Sequence, residues 1–278
     1  MIKTQISYPY QGQQHPSDLR WYGRGSMAEY KMVFKRYEMK YLLDEDQRDR
    51  IYEILDSHMA IDQYGHSEIR NVYYDTDSFR LIRRSIEKPL YKEKLRFRSY
   101  GRPKKDGKIF VELKKKYDGV VYKRRLTMPL DEATRWLADE DAVPPEGQIG
   151  AEIDFFKHRY EGLGPAMSVF YEREAYTPKD GSDLRVTIDT NIRSSLEDVS
   201  LRADGPEHVV LPEGYTLMEL KTMGGIPLWM VDVLSRNRTY RASFSKYGNA
   251  YKQMVLQKEP EFYSALRMDR TVCPSPYP

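Results

Sequence analysis

Lys94, Arg96 and Arg98 alternate with Leu95 and Phe97 in the segment KEKLRFRSYG, residues 92 to 101. Side chains two apart on a strand share a face, so this pattern puts a row of positive charge on one side and apolar groups on the other. The chemistry open to such a row is phosphate binding: guanidinium groups grip phosphate oxygens bidentately and ammonium groups add mobile point charges. Other segments sort the same way. KRYEMKYLL sets Arg36, Glu38 and Lys40 against Tyr37, Met39 and Tyr41, and IFVELKKK sets Glu112 and Lys114 against Val111 and Leu113. VVYKRRLTM opposes Lys123 and Arg125 to Tyr122, Leu126 and Met128, although Arg124 interrupts the apolar side. LRVTIDT gathers Arg185, Thr187 and Asp189, and LMELKT gathers Glu219 and Lys221. Glu-x-Lys thus recurs on one face of separate strands, at Glu38, Glu112 and Glu219.

An antiparallel sheet with one solvated face also carries charge. Here, however, the polar faces hold Arg and Lys with a Glu at intervals, and the opposite faces are apolar enough to need a cover of helices. The pattern predicts an α+β fold: a closed antiparallel β-barrel of about eight strands, its apolar side packed outward against helices and its charged side lining a lumen. Two like charges about 6 Å apart repel by roughly 3 kcal/mol at an effective dielectric of about 20, so converging cations call for a bound polyanion. Carboxylates left among phosphates hold Mg²⁺ or Mn²⁺. A tunnel for a phosphate chain is the expected result.

The elements that must position this face are read from periodicity and punctuation. Helices are predicted over 44–58, 131–141, 147–163, 225–238 and from Tyr247 to about Met268; the acids Asp44, Glu45, Asp46 and Asp49 read as a capped helix start and not as a metal site. Residues 1–28 read as a loose arm, 29–268 as one domain and 269–278 as a tail. With 45 Lys plus Arg against 42 Asp plus Glu, the net charge of +3 gives no global case for nucleic acid or membrane. The single Cys273 excludes an intrachain disulfide, and no run of about 18 apolar residues occurs, so a cytoplasmic protein without a membrane segment is expected. The five His residues show no ligand spacing. The 23 Tyr could serve a single-stranded RNA binder, yet they fall mostly on the apolar strand faces.

Taken in order, RYEMKYLL, YYDT, KLRFRSYG, FVELKKK, YEREAY, RVTIDT, LMELKT and FSKYGNAY resemble the VTC domain, the polyphosphate polymerase domain of the vacuolar transporter chaperone complex, within the CYTH-like triphosphate tunnel metalloenzymes. The resemblance spans about residues 33 to 256. It implies that Lys40, Arg96, Arg98 and Lys114 are basic phosphate ligands, with Tyr171, Arg173 and Arg185 on the opposite wall. It also implies a metal-binding Glu219 and a Ser245–Lys246 pair that reaches the phosphate chain. ATP and inorganic polyphosphate are the implied partners and Mn²⁺ or Mg²⁺ the implied cofactor. Lys40, Arg96, Arg98, Lys114, Arg173 and Lys246 are the residues expected to act on the transferred group, and Tyr171, Arg185, Ser245, Lys123, Arg125 and Lys221 to bind the substrate or product chain. Wider tunnel enzymes begin Glu-x-Glu-x-Lys where this chain has Arg36, Glu38 and Lys40, which favours one dominant metal site. The SPX sensor and membrane-embedded partners of the fungal complex are not carried over to this chain. A hydrolase of the same fold and a noncatalytic polyphosphate-binding module remain open as alternatives.

Overall fold

Every strand pairs antiparallel in the computed structural model, which describes residues 37–118 and 120–258. Arg36, the N-terminal arm, the expected continuation of the last helix to Met268 and the tail with Cys273 lie outside the described residues. The elements run β1 (Tyr37–Leu43), α1 (Glu45–His58), β2 (Met59–Asp75), α2 (Arg80–Ile86), β3 (Tyr91–Tyr100), β4 (Lys108–Tyr117) and β5 (Val120–Pro129). They continue with α3 (Leu130–Ala138), α4 (Gln148–Arg159), β6 (Gly164–Pro178), β7 (Arg185–Ser195), β8 (His208–Val209), β9 (Thr216–Thr222), α5 (Leu228–Arg236) and α6 (Lys246–Met254). The acidic start of α1 is a capping box, with Asp44 and Gln47 each accepting the other's backbone N–H. The short α2 carries no apolar period long enough to announce itself and was not predicted.

One sheet holds all the strands in the order β1-β9-β7-β6-β2-β3-β4-β5, with β8 added to β7. The expected closed barrel does not form: β1 and β5 end the order, and no ladder joins them among the described residues. Part of the outer edge of β1 is taken, since Ala242 N donates to Lys40 O at 2.7 Å and Tyr41 bridges to Arg241. The Lys40 carbonyl used in this way is an acceptor that another strand would otherwise take. The sheet curls instead until Glu38 of β1 comes 4.0 Å from Lys114 of β4, making a trough.

The outer faces follow the alternation. Leu95, Phe97, Val111 and Leu113 pack beneath Trp136, Leu137, Ile153 and Phe156 of α3 and α4. Met39, Val186, Ile188 and Leu220 pack beneath Ile51, Leu55, Met230 and Leu234 of α1 and α5. Each fully buried side chain of this kind contributes about 1.5–3 kcal/mol, which fixes which face of each strand turns away from the trough.

The expectation that helices pack only outside is corrected by a third cluster. Tyr247, Ala250 and Tyr251 of α6, with Ile82 of α2, lie against Ile69, Tyr73, Met167, Val169 and Leu217 on the inner face. Part of the trough is therefore filled by α6, because these inner positions are apolar, and the cations line only the remainder. No helix among the described residues is long and apolar enough to cross a membrane.

Candidate functional site

Glu112 of β4 organises one wall. It is 1% exposed, and strand register sets Arg96 of β3 on one side of it and Arg125 of β5 on the other. Arg96 donates from Nε and Nη2 to Glu112 Oε2 at 2.9 and 2.7 Å and from Nη1 to the Tyr73 hydroxyl at 3.2 Å. Arg125 reaches Oε1 at 2.5 Å and Lys123 reaches it at 2.8 Å. Arg98 lies 4.0 Å from Oε2, donating to Asn71 Oδ1 at 2.9 Å and to the Tyr171 hydroxyl at 3.1 Å. Burial would raise the pKa of Glu112, but Arg96, Arg98 and Lys123 overcome it and hold the carboxyl well below its ordinary range.

Asp189 and Glu219 organise the opposite wall. Asp189, fully buried on β7, accepts both arms of Arg173 at 2.6 and 2.7 Å and pairs with Lys246 at 2.5 Å. Glu219 of β9 meets Lys221 at 2.9 Å, Lys40 at 3.1 Å, Lys246 at 3.5 Å and Arg173 at 3.7 Å. Burial opposes the charge on both acids, yet the neighbouring cations depress both pKa values. Lys40 also meets Glu38 at 3.3 Å; although burial disfavours its charge, Glu219 and Glu38 raise its pKa.

The N-terminus of α6 closes the space between the walls. Ser245 caps the helix by accepting from Gly248 N at 3.2 Å, and its Oγ also receives a hydrogen bond from Lys94 Nζ at 3.3 Å. Lys246, the first helical residue, stands 4.5 Å over the ring of buried Tyr171, and Arg173 stands 5.2 Å from the same ring. Burial pushes the Tyr171 phenol up, but Arg173, Arg98 and Lys246 bring its pKa below the usual value. Thr187, directly opposite Glu219, has a buried hydroxyl without a partner among the described residues, a donor left for a ligand or water.

The trough thus brings together Lys40, Arg96, Arg98, Lys123, Arg125, Tyr171, Arg173, Glu219, Lys221, Ser245 and Lys246. Lys114 joins them at its partly exposed edge, opposite Glu38. Arg185 does not reach the cluster: it is exposed at the rim, paired in register with Lys221. Asp189, Glu112, Glu38, Lys94, Asn71 and Tyr73 were not predicted as site residues. Alternation puts Asp189, Glu112, Glu38 and Lys94 on the charged face, but a strand pattern does not say that Glu112 or Asp189 will be met by cations from two other elements. Counted within the cluster, the cations Lys40, Lys94, Arg96, Arg98, Lys114, Lys123, Arg125, Arg173, Lys221 and Lys246 number ten against four carboxylates.

No group of three or more His, Cys, Asp or Glu that could hold a metal occurs among the described residues. Glu219 and Glu38, which share Lys40 Nζ, nevertheless fit a hard divalent ion of the kind bound by one or two carboxylates with phosphate oxygens and water supplying the rest.

The VTC domain family model matches residues 35–255. Among solved structures the chain is similar to a candidate adenylate cyclase from Bacillus halodurans, at 17% identity and a TM-score of 0.48, covering 78% of this chain and 96% of that one. A candidate adenylyl cyclase from Hippeastrum, described as having a dominant triphosphatase activity, is 13% identical with a TM-score of 0.47, covering 78% and 94%. A candidate adenylate cyclase from Vibrio parahaemolyticus is 12% identical with a TM-score of 0.43, covering 78% and 97%. No curated protein matches the chain.

Proposed function

The chain belongs to the VTC domain family, and from that premise we propose that it is a polyphosphate polymerase, transferring the γ-phosphoryl group of ATP to the end of a polyphosphate chain lying in the trough. The bond from the γ-phosphorus to its β–γ bridging oxygen breaks, a bond to the terminal oxygen of the acceptor forms, and ADP leaves. Such transfer needs alignment and neutralisation of the equatorial oxygens more than covalent help. Arg96, Arg98, Lys114 and Arg173 would hold the triphosphate, with Lys40 and Lys246 near the transferred group. Tyr171, Ser245, Lys123, Arg125 and Lys221 would hold the remaining chain, and Arg185 would meet it at the rim. Mn²⁺ or Mg²⁺ held by Glu219 with Glu38 would supply further neutralisation of phosphate charge. Ser245 is occupied as a helix cap, which argues against a nucleophilic role.

The observation that carries the choice of acceptor is the state of the carboxylates. Glu112, Asp189, Glu219 and Glu38 are all ion-paired with depressed pKa values, despite burial that acts to raise them. Such groups are weak bases and do little to activate water. The terminal phosphate of a chain is already ionised near neutral pH and needs no base. Purified protein with ATP and Mn²⁺ is expected to build long chains and release ADP. Arg96→Ala should slow this by about 2–4 kcal/mol, roughly 30- to 900-fold. Orthophosphate as the sole product would make the protein a hydrolase, and tripolyphosphate binding without any turnover would make it a receptor.

A further inference from the structure

Away from the carboxylates, the trough sets lysines against one another. In register Lys94 faces Lys114, Lys92 faces Lys116, and Lys114 faces Lys123. Opposed residues of an antiparallel pair have Cβ atoms about 5 Å apart, and like charges there destabilise the sheet. Lys114 has Glu38 at 4.0 Å and Lys123 has Glu112 at 2.8 Å. Lys92, Lys94 and Lys116, by contrast, make no ion pair with a carboxylate among the described residues: Lys94 donates to Ser245 Oγ, and Lys92 to the carbonyl oxygen of Ser85 at 3.2 Å. Lys88, just beyond α2, adds its charge to that of Lys116 on Lys92. Burial and the charges of Lys92, Lys114, Lys40 and Arg96 all act against the ammonium of Lys94. The protein keeps a row of uncompensated cations leading from the trough to the α2 end of β3.

We propose that Lys92, Lys94 and Lys116 form an extension of the trough that binds the phosphates of a linear chain beyond those held at the carboxylate clusters, so that affinity grows with chain length. This rests on the reading of the trough as a polyphosphate site. Phosphate chains suit the row better than nucleic acid does. The aromatic residues of the same stretch, Tyr91 and Tyr117, alternate to the opposite face, leaving bases nothing to stack on.

The test compares tripolyphosphate with a linear polyphosphate of about fifteen residues by calorimetry, across a series of salt concentrations. The wild-type protein is expected to bind the long chain at least about tenfold more tightly, and Lys92→Ala combined with Lys116→Ala to abolish that gain while leaving tripolyphosphate affinity unchanged. The slope of log affinity against log salt for the long chain should fall by about two in the double variant, and the Lys→Arg pair should restore it. Equal affinity of the wild type for both lengths, or equal loss for both in the variant, overturns the extension while leaving the polymerase reading standing. Failure of the wild type to bind tripolyphosphate at all overturns both. A single-stranded oligonucleotide that gains as much from the two lysines overturns the assignment to phosphate chains.

Discussion

Glu112 shows how a single carboxylate can hold a wall of cations in place. Removing its charge leaves Arg96, Arg98, Lys123 and Arg125 without their counterion, and breaking a buried ionic network costs about 3–5 kcal/mol. Glu112→Gln should therefore lower the melting temperature in the absence of anion, with tripolyphosphate recovering part of the loss. Because the folded pKa of Glu112 is depressed, its contribution is present above the unfolded carboxylate value of about 4.3 and is lost as pH falls below it. Denaturant melts of Glu112→Gln should thus be flatter below that pH than those of the wild type. Lys94 behaves in the opposite sense. Burial, with Lys92, Lys114, Lys40 and Arg96 around it, lowers its pKa from 10.5 to about 7. The unfolded chain then binds the extra proton between these values, so stability of the anion-free protein should rise with pH across that window. Lys123, lowered to about 8 by burial and by Arg96 and Arg125 against the pull of Glu112, adds to the same trend. Lys94→Met should remove part of the slope, and an unchanged slope would show that Lys94 stays charged.

At the level of elements, α6 decides how much of the inner face remains open. Its Tyr247 stacks on Tyr73 with ring centroids 4.4 Å apart and donates its hydroxyl to Asp75 Oδ2 at 2.8 Å. Asp75 also accepts from the amides of Leu81 and Ile82 at 2.8 and 2.9 Å, so one buried carboxylate ties β2, α2 and α6 together. The register of α6 in turn places Ser245 and Lys246 at the trough. Tyr247→Phe leaves the ring stacked but removes the tether, at a cost of about 1–1.5 kcal/mol for the lost hydrogen bond. On the proposed polymerase reading, polymer formation by this variant should fall by more than its stability loss explains, because Lys246 is held less firmly; activity unchanged at a temperature where the variant is folded would argue that α6 is held by packing alone. The loop at Arg241 and Ala242 docks on β1, where it occupies part of the strand edge.

The whole molecule carries its charge in one place. A chain with a net charge of only +3 gathers ten cations against four carboxylates in the cluster, so the positive potential is local and not global. An anion that binds only the folded state stabilises it by about 2.7 kcal/mol at a hundredfold excess over its dissociation constant. Tripolyphosphate should accordingly raise the melting temperature, and the effect should shrink as salt screens the trough. Much of this was legible along the chain, since two-residue alternation assigns each strand's faces without knowledge of its partners. Lys40, Arg96, Arg98, Lys114 and Glu219 were found that way, and the outward apolar faces with them. Arg185 shares its strand face with Asp189, yet one stands exposed at the rim while the other is fully buried. Depth along a strand depends on what covers each end, and alternation is blind to it. Closure escaped for a similar reason, because the loop that occupies part of the β1 edge lies about 200 residues further along the chain, beyond the reach of local periodicity. By itself the sequence determined which side chains share the charged face of each strand. Tertiary structure alone decided which acid each cation meets, that α6 occupies part of the interior, and that the sheet ends as a trough, because contacts between elements distant in sequence leave no trace in local periodicity.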